Sequence, residues 1–375
     1  MRYVLFIMKT VISVVGARPN FMKVAPIHRA FAAYADSVRH LICHTGQHYD
    51  ARMSDAFFQD LNMPEPHTFL GVGSGSHAEQ TARVMVEFEK ICLQEKPDLV
   101  IVVGDVNSTI ACVLTAAKLH IPTAHVEAGL RSGDRTMPEE INRIATDAIS
   151  DYCFVTEQSG MDHLREAGYP AHRTFFVGNT MIDSLHYALP MSEQSSILHD
   201  LGITKQGYVL ATLHRPSNVD DATQLRMLLE LFAEISSERD IVFPVHPRTR
   251  KKAEEFGLQP LLESHPRIRL IEPQGYISFL ALMKNADYVM TDSGGIQEET
   301  TALGIPCLTL RTTTERPSTV DLGTNILIPP TEEAIHDEVR ALHRGQRKQG
   351  NVPPLWDGHA AERITQIITQ KILAS

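Results

Sequence analysis

Residues 98–127 read DLVIVVGDVNSTIACVLTAAKLHIPTAHVE, and this stretch decides the fold. The apolar run 98–103 (DLVIVV) is too short for a helix and fits a strand buried on both faces, which Gly104 and Asp105 then close. A segment long enough for a helix follows, and 122–126 (PTAHV) supplies a second buried run that ends at Glu127. Strand, helix and strand in this order are the unit of a parallel sheet covered by helices on both faces. The same alternation continues in both directions. Upstream it places strands at 11–15 (VISVV) and 38–43 (VRHLIC), and downstream at 152–155 (YCFV) and 174–177. Helices fit between them, the longest over 76–94 and another near 180–188.

Residues 189–206 (LPMSEQSSILHDLGITKQ) lose the rhythm and read as an interdomain connection. It restarts with strands at 208–213, 241–245, 268–271, 287–291 and 306–310, and helices at 220–236, 276–285 and 295–303. Residues 344–358 read as a solvated loop before a last helix from Ala360. The expectation is therefore an α/β chain of two doubly wound domains, 1–188 and 205–358, facing a cleft. Residues 359–375 form a C-terminal helix that packs back on the first domain. In open α/β sheets ligands sit at the carboxyl ends of the strands, so the polar residues of interest should follow strands.

Composition narrows the function. The 375 residues carry 35 Lys and Arg against 45 Asp and Glu, a formal charge of −10. Such a balance argues against nucleic acid or an anionic membrane as partner, because phosphate backbones attract a positive surface. No apolar run approaches the roughly 20 residues of a membrane span. The apolar stretch after Arg2 is broken by Lys9 and lacks a small-residue cleavage site, so it is not read as a signal peptide, and Met8 is an alternative start. The five cysteines, 43, 92, 112, 153 and 307, are scattered without CxxC spacing, which fits small core thiols in a reducing cytoplasm.

The chemistry-bearing residues do follow strands. Gly16-Ala17-Arg18-Pro19-Asn20 closes the first strand and leads into a helix carrying Lys23. A helix start flanked by Arg18 and Lys23 suits a diphosphate, with a glycine turn bearing exposed cations as the alternative. Neither GxGxxG nor GxxxxGK[ST] occurs, so no dinucleotide cofactor is expected. The segment GVGSGS (71–76) reads as a mobile loop able to close over a ligand. Asp105, Glu127 and Glu139-Glu140 place acids after the third and fourth strands and at a helix start, close to His125, Arg131 and Arg143. Converging carboxylates suit acid–base chemistry, although each alone is also a common helix cap. His44, His48, His125 and Glu127 lack the spacing that fixes a metal, and no metal site is expected. In the second half His214 and His246 end successive strands, where imidazoles can move protons. In TDSGGIQEE (291–299) the backbone N–H groups around Ser293, Gly294 and Gly295 can cradle phosphate, and a glutamate one turn on can accept ribose hydroxyls. A glycine turn followed by a dipole-favoured acid accounts for Glu298 better than for Glu299.

Together GARP (16–19), GD (104–105), HVEAGLRS (125–132), MPEEINR (137–143), LHR (213–215), PVHP (244–247), TDSGGIQEE (291–299) and TTERP (313–317) resemble the non-hydrolysing UDP-N-acetylglucosamine 2-epimerases. The resemblance runs in order to about residue 325. It implies a GT-B type fold, a cytoplasmic homodimer and reversible conversion of UDP-GlcNAc to UDP-ManNAc for envelope polysaccharide synthesis. It also implies catalytic roles for Asp105, Glu127, Glu139 and His214. Arg18, Lys23, Ser293, Gly294, Gly295 and Glu299 are implied for UDP, and His246 is added here as a substrate-binding residue.

Two departures stand out. Many bacterial members carry QHRxM and HRRE segments tied to activation by a second UDP-GlcNAc. Here Gln47-His48 is followed by Tyr49-Asp50, and His214-Arg215 by Pro216-Ser217-Asn218, so such activation is not expected. HTGQH and MPEEINR also resemble relatives acting on UDP-2,3-diacetamido-glucuronic acid. A GT-B glycosyltransferase is the other alternative, and a sugar-nucleotide sensor without turnover would bind without exchanging the sugar's protons.

Overall fold

A computed structural model describes residues 8–47 and 60–374, with the Arg18 side chain outside the description. Residues 1–7, upstream of the alternative start at Met8, lie outside these residues, as do His48 and the departures at Tyr49 and Asp50. The chain divides into two compact units, one of them Met1–Tyr187 with Pro354–Ser375 and the other Ala188–Pro353.

The first unit holds seven parallel strands: β1 (Lys9–Val15), β2 (Val38–His44), β3 (Thr68–Phe69), β4 (Leu99–Val103), β5 (Thr123–Ala128), β6 (Tyr152–Val155) and β7 (Thr174–Phe176). Their spatial order is β3-β2-β1-β4-β5-β6-β7. The chain starts in the middle at β1, runs to one edge, then returns to pair β4 with β1 in the register Val11↔Leu99. That reversal leaves the carboxyl ends of β1 and β4 beside each other with no helix crossing between them. Every residue of β4 and β5 is buried, which explains the unbroken apolar run of β4, whereas β5 buries His125 and Glu127 among its small and apolar residues. One core cluster lies where Ile12, Val100 and Val102 meet Val84 and Phe88 of the helix His77–Glu95 and Ala111 and Val113 of the helix Asn107–Lys118.

The second unit repeats the design with β8 (Tyr208–Thr212), β9 (Asp240–Pro244), β10 (Ile268–Ile271), β11 (Tyr288–Thr291), β12 (Cys307–Leu310) and β13 (Asn325–Ile328). The order is β10-β9-β8-β11-β12-β13, so the reversal falls between β8 and β11. Two Rossmann-like sheets, each doubly wound, make this a GT-B-like α/β fold.

The structure departs from expectation in several places. Residues 189–204 are not a featureless linker. The helix Thr180–Ser192 runs into them and a short helix Ile197–Asp200 follows. From Ala188 onward these residues belong to the second unit, where Lys284 Nζ donates to Glu193 at 2.6 Å and Arg269 donates to the Leu201 carbonyl. Residues 354–358 belong to the first unit, because the Trp356 indole N–H donates to the Thr156 carbonyl at 2.9 Å. The helix Ala360–Ile367 is held there by Asp183, whose carboxylate accepts from the Ala360 and Ala361 N–H groups at 3.1 and 2.7 Å. GVGSGS is not a free loop: Val72 N donates to the Thr45 carbonyl and Gly73 N to that of Gly46, both at 3.0 Å, and Ser76 caps the next helix. Strand β13 (NILI) and the helices Pro247–Glu255 and Glu332–His343 add to the expected elements; charge density hides the first helix, whereas the second buries Ile335, Val339 and Leu342 at helical spacing. All five cysteines are buried, and burial pushes the Cys43 thiol up to about 12. Among the described residues no helix is long and apolar enough to cross a membrane.

Candidate active site

The turn after β1 is organised by Asn20. Its side-chain oxygen accepts from Gly16 N at 3.0 Å and Ala17 N at 2.9 Å, and its amide donates to the Val103 carbonyl at 3.3 Å. One side chain thus ties the end of β1 to the end of β4. A Cβ on Gly16 would lie 2.7 Å from Ser108 Cβ, so only glycine lets this turn sit so close. One helical turn beyond Asn20, the ammonium of Lys23 ion-pairs with Glu127. Both side chains are about nine-tenths or more buried, at 7% and 5% exposed.

Glu127 owes its direction to the backbone. Its φ of +73° is left-handed, unusual for a residue with a Cβ, and the β5–β6 register slips there between Val126 and Ala128. The irregularity turns the glutamate toward the β4 end, where its Oε2 lies 3.3 Å from the position a Gly104 Cβ would occupy. Asp105, two residues past β4, is gripped from the helix Pro138–Ile149: Asn142 donates to its carbonyl at 2.9 Å and Arg143 ion-pairs with its carboxylate. Arg143 also meets Glu140 at 2.9 Å. Burial alone would raise the Glu140 carboxyl, yet hydrogen bonds from Ser132 N–H and Arg143 outweigh it and hold the group low. Glu139, four positions before Arg143 on the same helix, is half-buried and carries no hydrogen bond or ion pair among the described residues. Beneath this cluster the fully buried His125 places Nδ1 2.7 Å from an Asp147 oxygen and Nε2 2.8 Å from the Gly104 carbonyl. Arg131 meets the same aspartate at 2.6 Å.

In the second unit Asp292 is the organiser. Wholly buried at the end of β11, it accepts from the N–H groups of His214 and Arg215 and from Asn218, at 2.9 to 3.1 Å. His214 Nδ1 is 2.8 Å from its Oδ1. Burial pushes this carboxyl upward, but the His214 hydrogen bond and charge and the two backbone donors outweigh that and hold it below the usual range. Fixing Nδ1 leaves Nε2 as the working nitrogen of a half-exposed imidazole. The His246 ring stands 5.4 Å from that of His214, and its Nδ1 accepts from Arg248 N as a helix cap.

Ser293 precedes the helix Gly294–Leu303, whose first N–H groups have no carbonyl of their own helix to meet and form an anion cradle. A Cβ on Gly294 would lie 2.7 Å from Arg316 Nη1, so a guanidinium backs this helix start. Glu298 is committed to Arg316 at 2.9 Å, and Arg316 and Arg311 share Glu315. Glu299 faces a different partner, accepting from the Tyr276 hydroxyl at 2.8 Å. The structure therefore gathers Lys23, Asp105 and Glu127 at the β1, β4 and β5 ends. His214 and His246 stand together at the β8 and β9 ends, and Ser293 to Glu299 follow β11. Arg18 opens the helix Arg18–Phe31. His125 and Glu127 are engaged with other groups and do not converge on His44, whose Nδ1 accepts from Gly46 N. Sequence reasoning missed Asn20, Asp147, Asp292 and Tyr276 as site-building residues. An Asn three positions past a turn residue was the available signal for the first, and none existed for pairings 22 and 23 residues apart in sequence.

Two doubly wound units with acids at one strand-order reversal and an anion cradle at the other define a nucleotide-sugar type of α/β enzyme. The family model described as UDP-N-acetylglucosamine 2-epimerase matches residues 32–369, and the chain belongs to that family. A UDP-N-acetylglucosamine 2-epimerase from Methanocaldococcus jannaschii is 43% identical over 361 residues, 95% of this chain and 98% of the relative. The UDP-2,3-diacetamido-2,3-dideoxy-D-glucuronate 2-epimerase of Pseudomonas aeruginosa is 38% identical, covering 96% and 99%. The M. jannaschii crystal structure in complex with UDP-GlcNAc and UDP superposes with a TM-score of 0.88 at 42% identity, covering 96% of this chain and 99% of that one. The protein is thus an epimerase, an enzyme of the isomerase class.

Proposed function

We propose that this enzyme interconverts UDP-GlcNAc and UDP-ManNAc by elimination and re-addition of UDP, without a cofactor. The observation that carries the reading is the pair of carboxylates, Asp105 and Glu127, at the adjacent ends of β4 and β5, each fixed by a buried cation. The identity to the M. jannaschii epimerase supports the same substrate. A carboxylate of the Asp105, Glu127 and Glu139 group removes the C2 proton. The C1–O bond to UDP then breaks, its electron pair leaving with the diphosphate, and a C1–C2 double bond forms in 2-acetamidoglucal. Protonation of C2 from the opposite face and attack of UDP oxygen on C1 complete the inversion. The C2 proton is not acidic, so a positioned base and a stabilised leaving diphosphate are both required. Ser293, Gly294 and Gly295 hold the diphosphate, Glu299 takes the ribose hydroxyls, and His214 and His246 serve the departing phosphate. Lys23 answers chiefly to Glu127.

A second copy of the chain is the proposed partner. Val86 and Leu93, seven positions apart on one side of the helix His77–Glu95, are 55% and 60% exposed, apolar surface suited to a homodimer. A cytoplasmic setting fits the five buried thiols and the substrate class.

UDP-GlcNAc with enzyme in deuterated water, without NAD or added metal, is expected to give UDP-ManNAc and UDP-GlcNAc both deuterated at C2, followed by proton NMR. Free ManNAc and UDP as main products would replace this reading with hydrolysis, and a requirement for an acceptor sugar would replace it with transfer. The second reading, UDP-2,3-diacetamido-glucuronate epimerisation, rests on the P. aeruginosa relative and predicts faster turnover of that sugar.

A further inference from the structure

We propose that His125 donates from both ring nitrogens, as an imidazolium whose two N–H groups lock the Gly104–Asp105 turn, making it a positioning residue for Asp105. The proposal rests on the assignment of Asp105 to the catalytic acids. Both ring nitrogens face groups that accept: Nδ1 meets the Asp147 carboxylate at 2.7 Å and Nε2 the Gly104 carbonyl at 2.8 Å. A carbonyl has no proton to give. A neutral imidazole protonated at Nε2 would set the Nδ1 lone pair against the carboxylate, and the other tautomer would set Nε2 against the carbonyl. Turning the ring over would put carbon at both positions and lose both bonds. His125 has no exposed surface, so water cannot relieve either clash.

The proton belongs to the histidine and not to Asp147. Arg131 at 2.6 Å and Gly129 N at 3.1 Å both bond the aspartate's Oδ2, and both favour the anion. Burial would raise the Asp147 carboxyl, but the bond and charge of His125, with Arg131, hold it below the ordinary value. A buried imidazolium is tolerable because its counter-ion is in contact, and the remaining charge sits under the site.

The lock acts one residue before Asp105. Gly104 has φ +65°, and its N–H donates to the Val126 carbonyl at 3.1 Å while its own carbonyl takes the imidazolium proton. With the N–H and the carbonyl of Gly104 both held from β5, the departure angle of Asp105 is fixed before Arg143 and Asn142 grip it. A shift of about 1 Å in a catalytic group can cost about 100-fold in rate.

Neutron diffraction from perdeuterated crystals tests the charge without reference to activity. Deuterons on both Nδ1 and Nε2 are expected, and a deuteron on Asp147 Oδ1 in place of Nδ1 would overturn the proposal. Kinetics test the positioning. The amide of His125→Asn lies near Nδ1 and keeps only the Asp147 bond, whereas that of His125→Gln reaches toward Nε2 and keeps the Gly104 bond. The Asn variant should lose about 10- to 100-fold in kcat at unchanged KM. The Gln variant should stay within about threefold of wild type, although both lose stability. Equal kcat losses in the two variants would show a merely structural histidine. Asp105→Asn, run alongside, separates the two ideas: unchanged turnover there would remove Asp105 from catalysis while leaving the neutron result standing.

Discussion

Replacing Lys23 with methionine keeps the length and most of the volume of the side chain and removes only the charge. Lys23 and Glu127 are each about 5% exposed, so the glutamate would be left as a carboxylate without its ammonium in a site water barely reaches. Breaking a buried pair on one side costs roughly 3–5 kcal/mol, a large share of the 5–15 kcal/mol typical of a domain. Urea unfolding at pH 8 should show that loss. The double variant Lys23→Met with Glu127→Gln should recover most of it, giving a coupling energy of about 2–3 kcal/mol. The pH dependence has a definite sign. An unpaired buried carboxyl has its folded pKa raised above the unfolded value of about 4.3, so the folded variant binds the extra proton and its stability rises as pH falls. The deficit relative to wild type should therefore shrink between pH 8 and pH 5. A deficit below about 1 kcal/mol at pH 8, or one that does not change with pH, would refute the view that the pair is a desolvated ionic contact.

Gly129→Ala should lose at least about 2 kcal/mol in the same assay, because φ is +82° and the new Cβ would lie 2.8 Å from the Gly160 carbonyl carbon. Glu299→Ala should weaken UDP binding by roughly 1.5–3 kcal/mol, about 10- to 150-fold by calorimetry, while Asp105→Asn chiefly lowers kcat. Burial holds His44 at about 4 and His40 well below its usual range, and the nearby His28 and His67 push His40 the same way. Both stay neutral when folded and charge when unfolded, so stability is full above about pH 6.5 and falls steadily toward pH 4, measurable by urea midpoints. Initial rates should depend hyperbolically on UDP-GlcNAc, since Pro216 after His214-Arg215 offers no side-chain cation. A sigmoidal curve would show a functioning second-substrate site.

How far the sequence reached can be judged element by element. Runs such as 99–103 and 208–212 lie buried on both faces of parallel sheets, and that burial demands continuous apolar residues, so their strands were legible within a residue or two. The two-residue β3 and the charge-rich helix 247–255 carry too little periodic signal to be found that way, whereas helix 332–343 does present Ile335, Val339 and Leu342 at helical spacing. The acids at the carboxyl ends of β4 and β5 were legible for the same reason as the strands, because a polar residue that interrupts a buried run marks the sheet's carboxyl edge.

The sequence by itself therefore determined the fold class and the family, both of which are local patterns of polarity and motif. Only the tertiary structure decided who pairs with whom. It gave Lys23 to Glu127, 104 positions away, and Glu298 to Arg316, while leaving Glu299 to Tyr276. It turned Glu127 through a left-handed residue and set both nitrogens of His125 against acceptors. Those choices follow from which strands lie side by side, and strand order is set by packing of the whole sheet, a quantity that no local spacing in the chain encodes.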